Sequence, residues 1–219
     1  MHLKTIPLQK EYGFITDSDT NKLWREIKTE QTDRLIVAID GAPGTGKSVL
    51  AEKLRKIISS AGIQANTVET DLDCLPWSER PHNSTLMDWH SDTVSKEVVN
   101  YPGAHFTYTG YDTVTHERTK TSQIVTPRNG VLLLEGLHSV EFAQEQTNQP
   151  IVAIIFQISN ELREIRRAER NIRQGRWKPS EVESRTASQR SSAVDFYRDL
   201  EKDSSRTSAI NHNTIRTFS

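Results

Sequence analysis

The apolar residues of the chain are concentrated in short runs that polar and charged stretches separate. The runs "GVLLLEG" and "QPIVAIIFQI" are continuously apolar and of strand length, and "RLIVAI" is a similar run rich in β-branched residues. Such runs are typical of parallel strands that helices cover on both faces. The segment "QANTVETDLD" is a further strand candidate, whereas "SVLAEKLRKIISSAG" has apolar residues at helical spacing and predicts a helix that stops at Gly62.

The alternation of strand and helix predicts an α/β sandwich with a central parallel sheet and right-handed crossovers. A charged helix is predicted over residues 160–174, and "RTASQRSSAVDFYRDLEK" is predicted to be helical as well. Residues 1–33 have the pattern of a polar N-terminal extension with a short helix near residues 20–31. The main domain is therefore expected to occupy residues 34–219.

A glycine-rich turn lies between the first of these strands and its helix. The eight residues "GAPGTGKS" match the phosphate-loop pattern G-x-x-x-x-G-K-[ST]. They are Gly41, Ala42, Pro43, Gly44, Thr45, Gly46, Lys47 and Ser48, and Val49 follows in the helix. Glycines let the backbone turn its N–H groups towards phosphate oxygens, and the helix N-terminus adds partial positive charge. Lys47 is expected to reach the β- and γ-phosphates of a nucleotide, and Ser48 to supply a hydroxyl to Mg²⁺.

Composition narrows the class of protein. The 219 residues include 28 Lys and Arg against 29 Asp and Glu, so the formal net charge is −1 and no overall field attracts nucleic acid or a membrane. The single cysteine, Cys74, excludes an internal disulfide framework and is typical of a reducing cytosol. No apolar run approaches the length of a membrane span or of a signal-peptide core. A cytoplasmic protein that binds neither nucleic acid nor membrane is expected.

Carboxylates follow two of the predicted strands. Glu135 ends "GVLLLEG", at the edge where ligands of parallel sheets gather, and is placed to position the water shell of Mg²⁺. In "TVETDLD", Glu69, Asp71 and Asp73 share one face if the segment is extended. Because three acids are costly to bury, this should be the open end of the strand, where one carboxylate can accept a proton from an attacking hydroxyl. Spacing does not decide which of the three acts.

The predicted helix over residues 160–174 is rich in arginine. Five arginines fall within about a third of its circumference, and four apolar residues occupy the adjacent sector. The arginines are Arg163, Arg166, Arg167, Arg170 and Arg173, and the apolar residues are Leu162, Ile165, Ala168 and Ile172. Clustered cations repel one another unless an anion faces them, and a triphosphate in its transition state is such an anion. A solvated face balanced by glutamates is the alternative interpretation.

The order of these motifs resembles that of one group of kinases. The segment "YDTVTHER" precedes "LLLEG", and the order phosphate loop, acidic strand end, "MDWHSDTV", "YDTVTHER", "LLLEG", arginine helix agrees with the uridine kinase and phosphoribulokinase-like P-loop family. The resemblance covers approximately residues 35–176. It implies a nucleoside-kinase-like P-loop NTPase fold, a three-layer sandwich with an arginine-rich helical lid at about residues 160–185. It also implies transfer of the γ-phosphoryl group of ATP, with Mg²⁺, to a hydroxyl of a small molecule. Uridine kinases often associate as homo-oligomers.

The resemblance implies roles for single residues on the acceptor side. Asp71 matches the base towards the acceptor hydroxyl, and Asp92 matches the residue that holds ribose hydroxyls, with Asp88 as its rival. Further acceptor contacts are implied for Tyr111, His116 and Arg118.

On the phosphate side, the resemblance implies catalytic cations at Lys47, Arg166 and Arg170. Arg176 is implied to contact the nucleotide, and Mg²⁺ is implied to lie at Ser48 and Glu135.

The segment after Asp71 departs from the family. Where the family usually has serine, phenylalanine and tyrosine, the chain reads "LDCLPWSERPHN", and this segment should line the acceptor pocket. Nearby aromatic residues can form a stacking platform or simply pack. They are Trp77, Trp89, Phe106, Tyr108 and Tyr111. A nucleoside is the first expectation for the acceptor, and a sugar phosphate, a vitamin precursor or a nucleoside natural product is the alternative.

A nucleotide-driven switch or a nucleic-acid-processing ATPase is the remaining class. A GTPase would carry an asparagine-lysine-x-aspartate signature after the loop, but the only such pair, Asn21-Lys22, precedes the loop and lacks the aspartate. The arginine helix is the one feature that favours nucleic acid, and the near-zero net charge opposes it.

Overall fold

A computed structural model describes residues 3–10, 15–30, 32–80, 93–112, 115–146, 149–182 and 184. The strands and α-helices within these residues are, in chain order, β1 (Leu3–Lys10), α1 (Asp17–Ile27), β2 (Arg34–Asp40), α2 (Lys47–Ser60), β3 (Ala65–Glu69), α3 (Thr93–Asn100), β4 (His105–Tyr111), β5 (Arg118–Val125), β6 (Gly130–Glu135), α4 (Ser139–Gln146), β7 (Ile151–Ile158) and α5 (Asn160–Arg173). Short 3-10 turns cover Thr70–Asp73, Trp77–Glu79 and Pro179–Glu181. The helix predicted in "RTASQRSSAVDFYRDLEK" lies outside the described residues.

Five strands form one parallel sheet in the order β1-β7-β2-β6-β3. Alternate residues of β2 point to opposite faces, so Val37 packs with α1 and α2 while Ile36 packs with α3 and α4. The central strands are buried on both sides, which explains their continuous apolar runs. The predicted three-layer sandwich around a parallel sheet is confirmed. Among the residues described, no helix has both the length and the apolar character needed to cross a membrane.

The segment 1–33 contributes to this sandwich, where the sequence pattern predicted an extension outside it. β1 pairs with β7 along its whole length, from Leu3 opposite Ile151 to Lys10 opposite Ile158. α1 corresponds to the short helix predicted near residues 20–31 and buries Leu23 in the core between itself and the sheet. The pattern of β1 is less apolar than that of the central strands because an edge strand meets solvent. Because β1 contains polar residues, the sequence pattern did not identify it as a strand of the main sheet.

Two further strands form an antiparallel hairpin that the sequence analysis did not predict. β4 pairs with β5, and the segment "YDTVTHER" spans the end of β4, the connecting loop and the start of β5. Gly110 in β4 has no room for a side chain, because a Cβ there would lie 2.8 Å from the backbone oxygen of Leu72. The hairpin is thus packed against the turn that follows β3.

Candidate active site

The carboxyl ends of β2, β3 and β6 lie side by side at one edge of the sheet. Because the strands are parallel and in register, Glu69 is paired with Glu135, and Ile39 is the partner of Glu135 on the other side. The phosphate loop leaves β2 at this edge, directly after Asp40. The topology thus gathers the loop and both predicted carboxylate sites, as expected for ligand sites of open parallel sheets.

The phosphate loop joins β2 to the first turn of α2. Gly46 precedes α2 in a left-handed conformation with φ of 105°, which a side chain would strain. Lys47 is buried, and its Nζ donates to the backbone oxygens of Gly41 at 2.6 Å and Ala42 at 3.2 Å. Burial lowers the pKa of Lys47, and the charge of Asp71 opposes this effect most strongly. The ammonium therefore lies inside the loop and close to the predicted base.

Asp40 is a buried carboxylate that shapes the entry to the loop. Its Oδ1 accepts a hydrogen bond from the Gly41 amide at 2.6 Å, and its Oδ2 accepts one from the Val140 amide at 3.4 Å. Burial raises the pKa of Asp40, while His138 and Lys47 oppose the shift. Asp40 thus fixes the backbone of the loop relative to α4.

The three acids predicted to share one face do not do so. β3 ends at Glu69, and the chain then turns into the 3-10 helix Thr70–Asp73, so the alternation of an extended strand is lost. Glu69 is exposed, whereas Asp73 is 1% exposed and its Oδ1 accepts a hydrogen bond from the hydroxyl of Tyr108 at 3.4 Å. Asp71 interacts electrostatically with Lys47, Glu135 and Arg170. Of the three candidates, Asp71 is the acid whose charge acts on Lys47 of the phosphate loop.

Glu135 and Ser48 form a pair of oxygen donors beside the loop. Glu135 is 5% exposed, and burial raises its pKa to about 7, although Lys47 and a hydrogen bond from the Ser48 side chain oppose this. Within the described residues, no group of three or more His, Cys, Asp or Glu could hold a metal by itself. Mg²⁺ at phosphate sites takes oxygen ligands from one or two side chains and the rest from phosphate and water. A carboxylate and a hydroxyl fit that donor set.

α5 lies directly on the phosphate loop. A Cβ at Gly44 would be 2.7 Å from Cγ of Arg167 and 3.1 Å from Cγ of Arg163, so the glycine is needed for this contact. Nη1 of Arg166 donates to the backbone oxygen of Thr45 at 3.0 Å. Arg163 is only 2% exposed, whereas Ile165 on the outer side of the helix is 48% exposed. Arg163 is thus buried against the loop, with Arg166 and Arg167 partly buried beside it, whereas Arg170 and Arg173 are exposed.

The cations of this helix repel one another. Burial, together with the charges of Arg163 and Arg170, lowers the pKa of Arg167 to about 10, and the charge of Glu164 opposes the shift. Partial burial lowers the pKa of Arg170 as well, followed by the charge of Arg176. Nε of Arg167 is buried and has no hydrogen-bond partner within the described residues. A solvated face does not describe Arg163 and Arg167, because Arg163 is buried and the stems of both pack on Gly44. It does describe Arg173, which is exposed.

The predicted acceptor residues lie in and beside the hairpin that packs on the turn after β3. The hydroxyl of Tyr111 and Nδ1 of His116 are 2.8 Å apart, and Nη2 of Arg118 donates to the backbone oxygen of Asp73 at 3.4 Å. Cζ of Arg80 lies 4.9 Å from the centre of the Tyr111 ring, a cation–π contact. One face of the predicted stacking platform is therefore covered by a guanidinium. Several predicted residues or side chains lie outside the described part: Asp88, Trp89, Asp92 and the side chains of Trp77 and Phe106.

Three residues of the site were absent from the sequence-based assignment of catalytic and binding residues. Arg163 and Arg167 were visible in the helical periodicity, but their burial against Gly44 was not. Arg80 lies in the segment that departs from the family, and no sequence motif indicated a role for it. Of the residues that were assigned, Val49 is 56% exposed on α2, and Arg176 is near Arg170.

The chain matches no protein-family model and no curated protein sequence. It does match solved structures. A possible uridine kinase from Bacillus stearothermophilus superimposes with a TM-score of 0.52 at 16% identity, covering 67% of this chain and 84% of that chain. A protein assigned as a fructose transport system kinase from Silicibacter sp. TM1040 gives a TM-score of 0.57 at 17% identity, covering 80% and 89%. The chain has the fold that these two structures share. At these identities the similarity establishes the fold alone, and the acceptor has to be argued from the site.

Proposed function

We propose that the chain is an ATP-dependent kinase that transfers the γ-phosphoryl group to a hydroxyl of a small molecule. The observation that carries this proposal is the layer of arginines pressed onto the phosphate loop. Arg163 and Arg167 are held against Gly44 at a cost in repulsion, and a polyphosphate would relieve that repulsion. Asp71 lies within electrostatic reach of the same loop, on the side of the predicted acceptor residues.

Each residue of the site would have a separate role in phosphoryl transfer. Lys47 would exchange its bonds to the loop carbonyls for the β- and γ-phosphates, and the arginines of α5 would stabilise charge on the transferred group. Asp71 would orient the acceptor hydroxyl and accept its proton. Mg²⁺, held by Ser48 and Glu135, would neutralise phosphate charge.

A nucleoside remains the first candidate for the acceptor. It is supported by the resemblance in "YDTVTHER" and by the Tyr111–His116 pair beside the site. Two arginines favour a second candidate, an alcohol that carries an anionic group, such as a sugar phosphate. Arg80 covers the Tyr111 ring, and Arg118 and Arg80 both interact with the Cys74 thiol next to Asp71. Guanidinium groups bind phosphate oxygens through paired hydrogen bonds.

The test is a panel of acceptors incubated with the protein and Mg·ATP, with products identified by mass spectrometry. We expect one class of alcohol to gain a phosphate, and Lys47→Ala to lower transfer to every acceptor. ATP hydrolysis without transfer to any alcohol would contradict the proposal.

Arg80→Ala separates the two candidates for the acceptor. For an anionic acceptor it should raise KM by about 10-fold or more, since a charged hydrogen bond is lost. For a nucleoside it should change KM only a few-fold. Arg55→Ala, in a surface pair with Glu52 on α2, is the matched control.

A further inference from the structure

Thr70 lies between the two carboxylates of the candidate site. It is the residue directly before Asp71 and is 1% exposed. Its Oγ1 is within donor distance of two backbone oxygens, that of Leu137 just after β6 at 3.2 Å and that of Glu135 at the end of β6 at 3.4 Å. A single hydroxyl thus links the turn that carries Asp71 to the end of the strand that carries Glu135.

Gly136 completes this contact from the other side. Its φ is +147°, and a Cβ there would fall on Thr70 Oγ1 and lie 3.4 Å from Oδ1 of Asp71. Any side chain at this position would displace the Thr70 hydroxyl and would bring its Cβ into contact with the Asp71 carboxylate. The two loops therefore fit together with Thr70 and Asp71 in the space that Gly136 leaves.

The contact begins where the sheet ends. The ladder between β3 and β6 stops at the pair Glu69 and Glu135, so the hydrogen-bond ladder does not fix the position of Asp71 beyond it. The partly buried Thr67 on β3 shows that a buried threonine hydroxyl need not play such a part, because its Oγ1 has no hydrogen-bond partner within the described residues. The hydroxyl of Thr70 continues the connection between the two strands past the last ladder pair.

We propose that Thr70 is a positioning residue that sets the distance from the Asp71 carboxylate to the end of β6 at Glu135. It thereby sets the position of that carboxylate relative to the transferred phosphate. This inference rests on the proposed kinase function. Phosphoryl transfer depends on alignment of the acceptor with the phosphate, and a misplacement of about 1 Å can cost roughly 100-fold in rate. Thr70 acts through Asp71 and touches neither reactant.

The test compares Thr70→Val, which removes the hydroxyl at constant shape, with Thr70→Ser, which retains it. Thr67→Val, three residues earlier on β3, is the control. At a temperature well below the Tm of every variant, Thr70→Val should lower kcat by about 10- to 100-fold. Its acceptor KM and its ATP affinity, measured by calorimetry, should change less than about 3-fold. Thr70→Ser and Thr67→Val should remain within about 3-fold of the wild type in all three quantities.

Equal losses in Thr70→Val and Thr70→Ser, or an unchanged kcat in Thr70→Val, would overturn the inference. A crystal structure of Thr70→Val provides a readout that needs no acceptor. A displacement of Asp71 Oδ1 from Gly136 by about 1 Å supports the positioning role, and an unmoved carboxylate refutes it. If the wild type phosphorylates no acceptor, the proposed function fails, and this displacement still decides the role of Thr70.

Discussion

Removing the charge of Arg167 should stabilise the free protein and weaken its binding of ATP. The guanidinium is half-buried on α5 beside Arg163 and Arg170, and its stem packs on Gly44. In Arg167→Met the methylene groups that contact Gly44 remain while the charge is lost. The free protein therefore loses the cost of burying this cation and the repulsion from its neighbours, and the nucleotide-bound state of the proposed kinase loses a contact to phosphate.

The lowered pKa of Arg167 sets the magnitude. Its fall to about 10 amounts to roughly 2.5 pH units, which at about 1.36 kcal/mol per unit opposes folding by ~3 kcal/mol. Solvent reaches part of the side chain, and screening reduces this to about 1–2 kcal/mol. For a chain of this size the Tm of the free protein should rise by about 2–8 °C. The affinity for Mg·ATP should fall about 10-fold or more, because charge-assisted hydrogen bonds to phosphate are lost.

Thermal unfolding with and without Mg·ATP measures both effects. Arg173→Met, on the exposed last turn of the same helix, is the matched control and should change neither quantity appreciably. Salt at about 0.5 M should narrow the difference between the wild type and Arg167→Met, since ions screen the repulsion. A lower Tm in Arg167→Met combined with an unchanged response to ATP would refute the reasoning, and Arg167 would then be a packing residue.

Three further predictions concern the sheet edge and the core. Asp71→Asn should lower kcat by about 100-fold or more with ATP affinity nearly unchanged, measured by steady-state kinetics and calorimetry; retained turnover would move the role of the base to a neighbouring acid. Burial raises the pKa of Glu135 to about 7, so between about pH 5 and 7 the folded protein holds a proton that the unfolded chain has released, and stability should fall as the pH rises. In Glu135→Gln the loss of unfolding free energy over that pH range should be smaller by up to ~3 kcal/mol, which urea unfolding at several pH values would detect. Arg34→Met should lower the free energy of unfolding by about 2–4 kcal/mol, because the buried guanidinium donates to two backbone oxygens in the last turn of α3. These are the oxygens of Val98 at 3.1 Å and Val99 at 2.7 Å, and an unchanged urea midpoint would contradict the prediction.

Local patterns were sufficient where a structure depends on neighbours in the chain. The phosphate loop is a contiguous motif between a strand and a helix, and β2, β6 and β7 are buried on both faces, so each was visible as a run of residues. Patterns were insufficient at the edges of the fold. β1 carries polar residues because it lies at the sheet edge, and β4 and β5 have few apolar residues to mark them.

Local sequence patterns predicted a parallel α/β sandwich, a phosphate loop, and a helix whose arginines share one face. Which members of each set come together was settled by the folded arrangement of the segments. The charge of Asp71 acts on Lys47 because the chain leaves the extended conformation after Glu69, and Arg167 is half-buried because Gly44 admits α5 onto the loop. These outcomes depend on packing between segments distant in the chain, and no spacing within one segment encodes such packing.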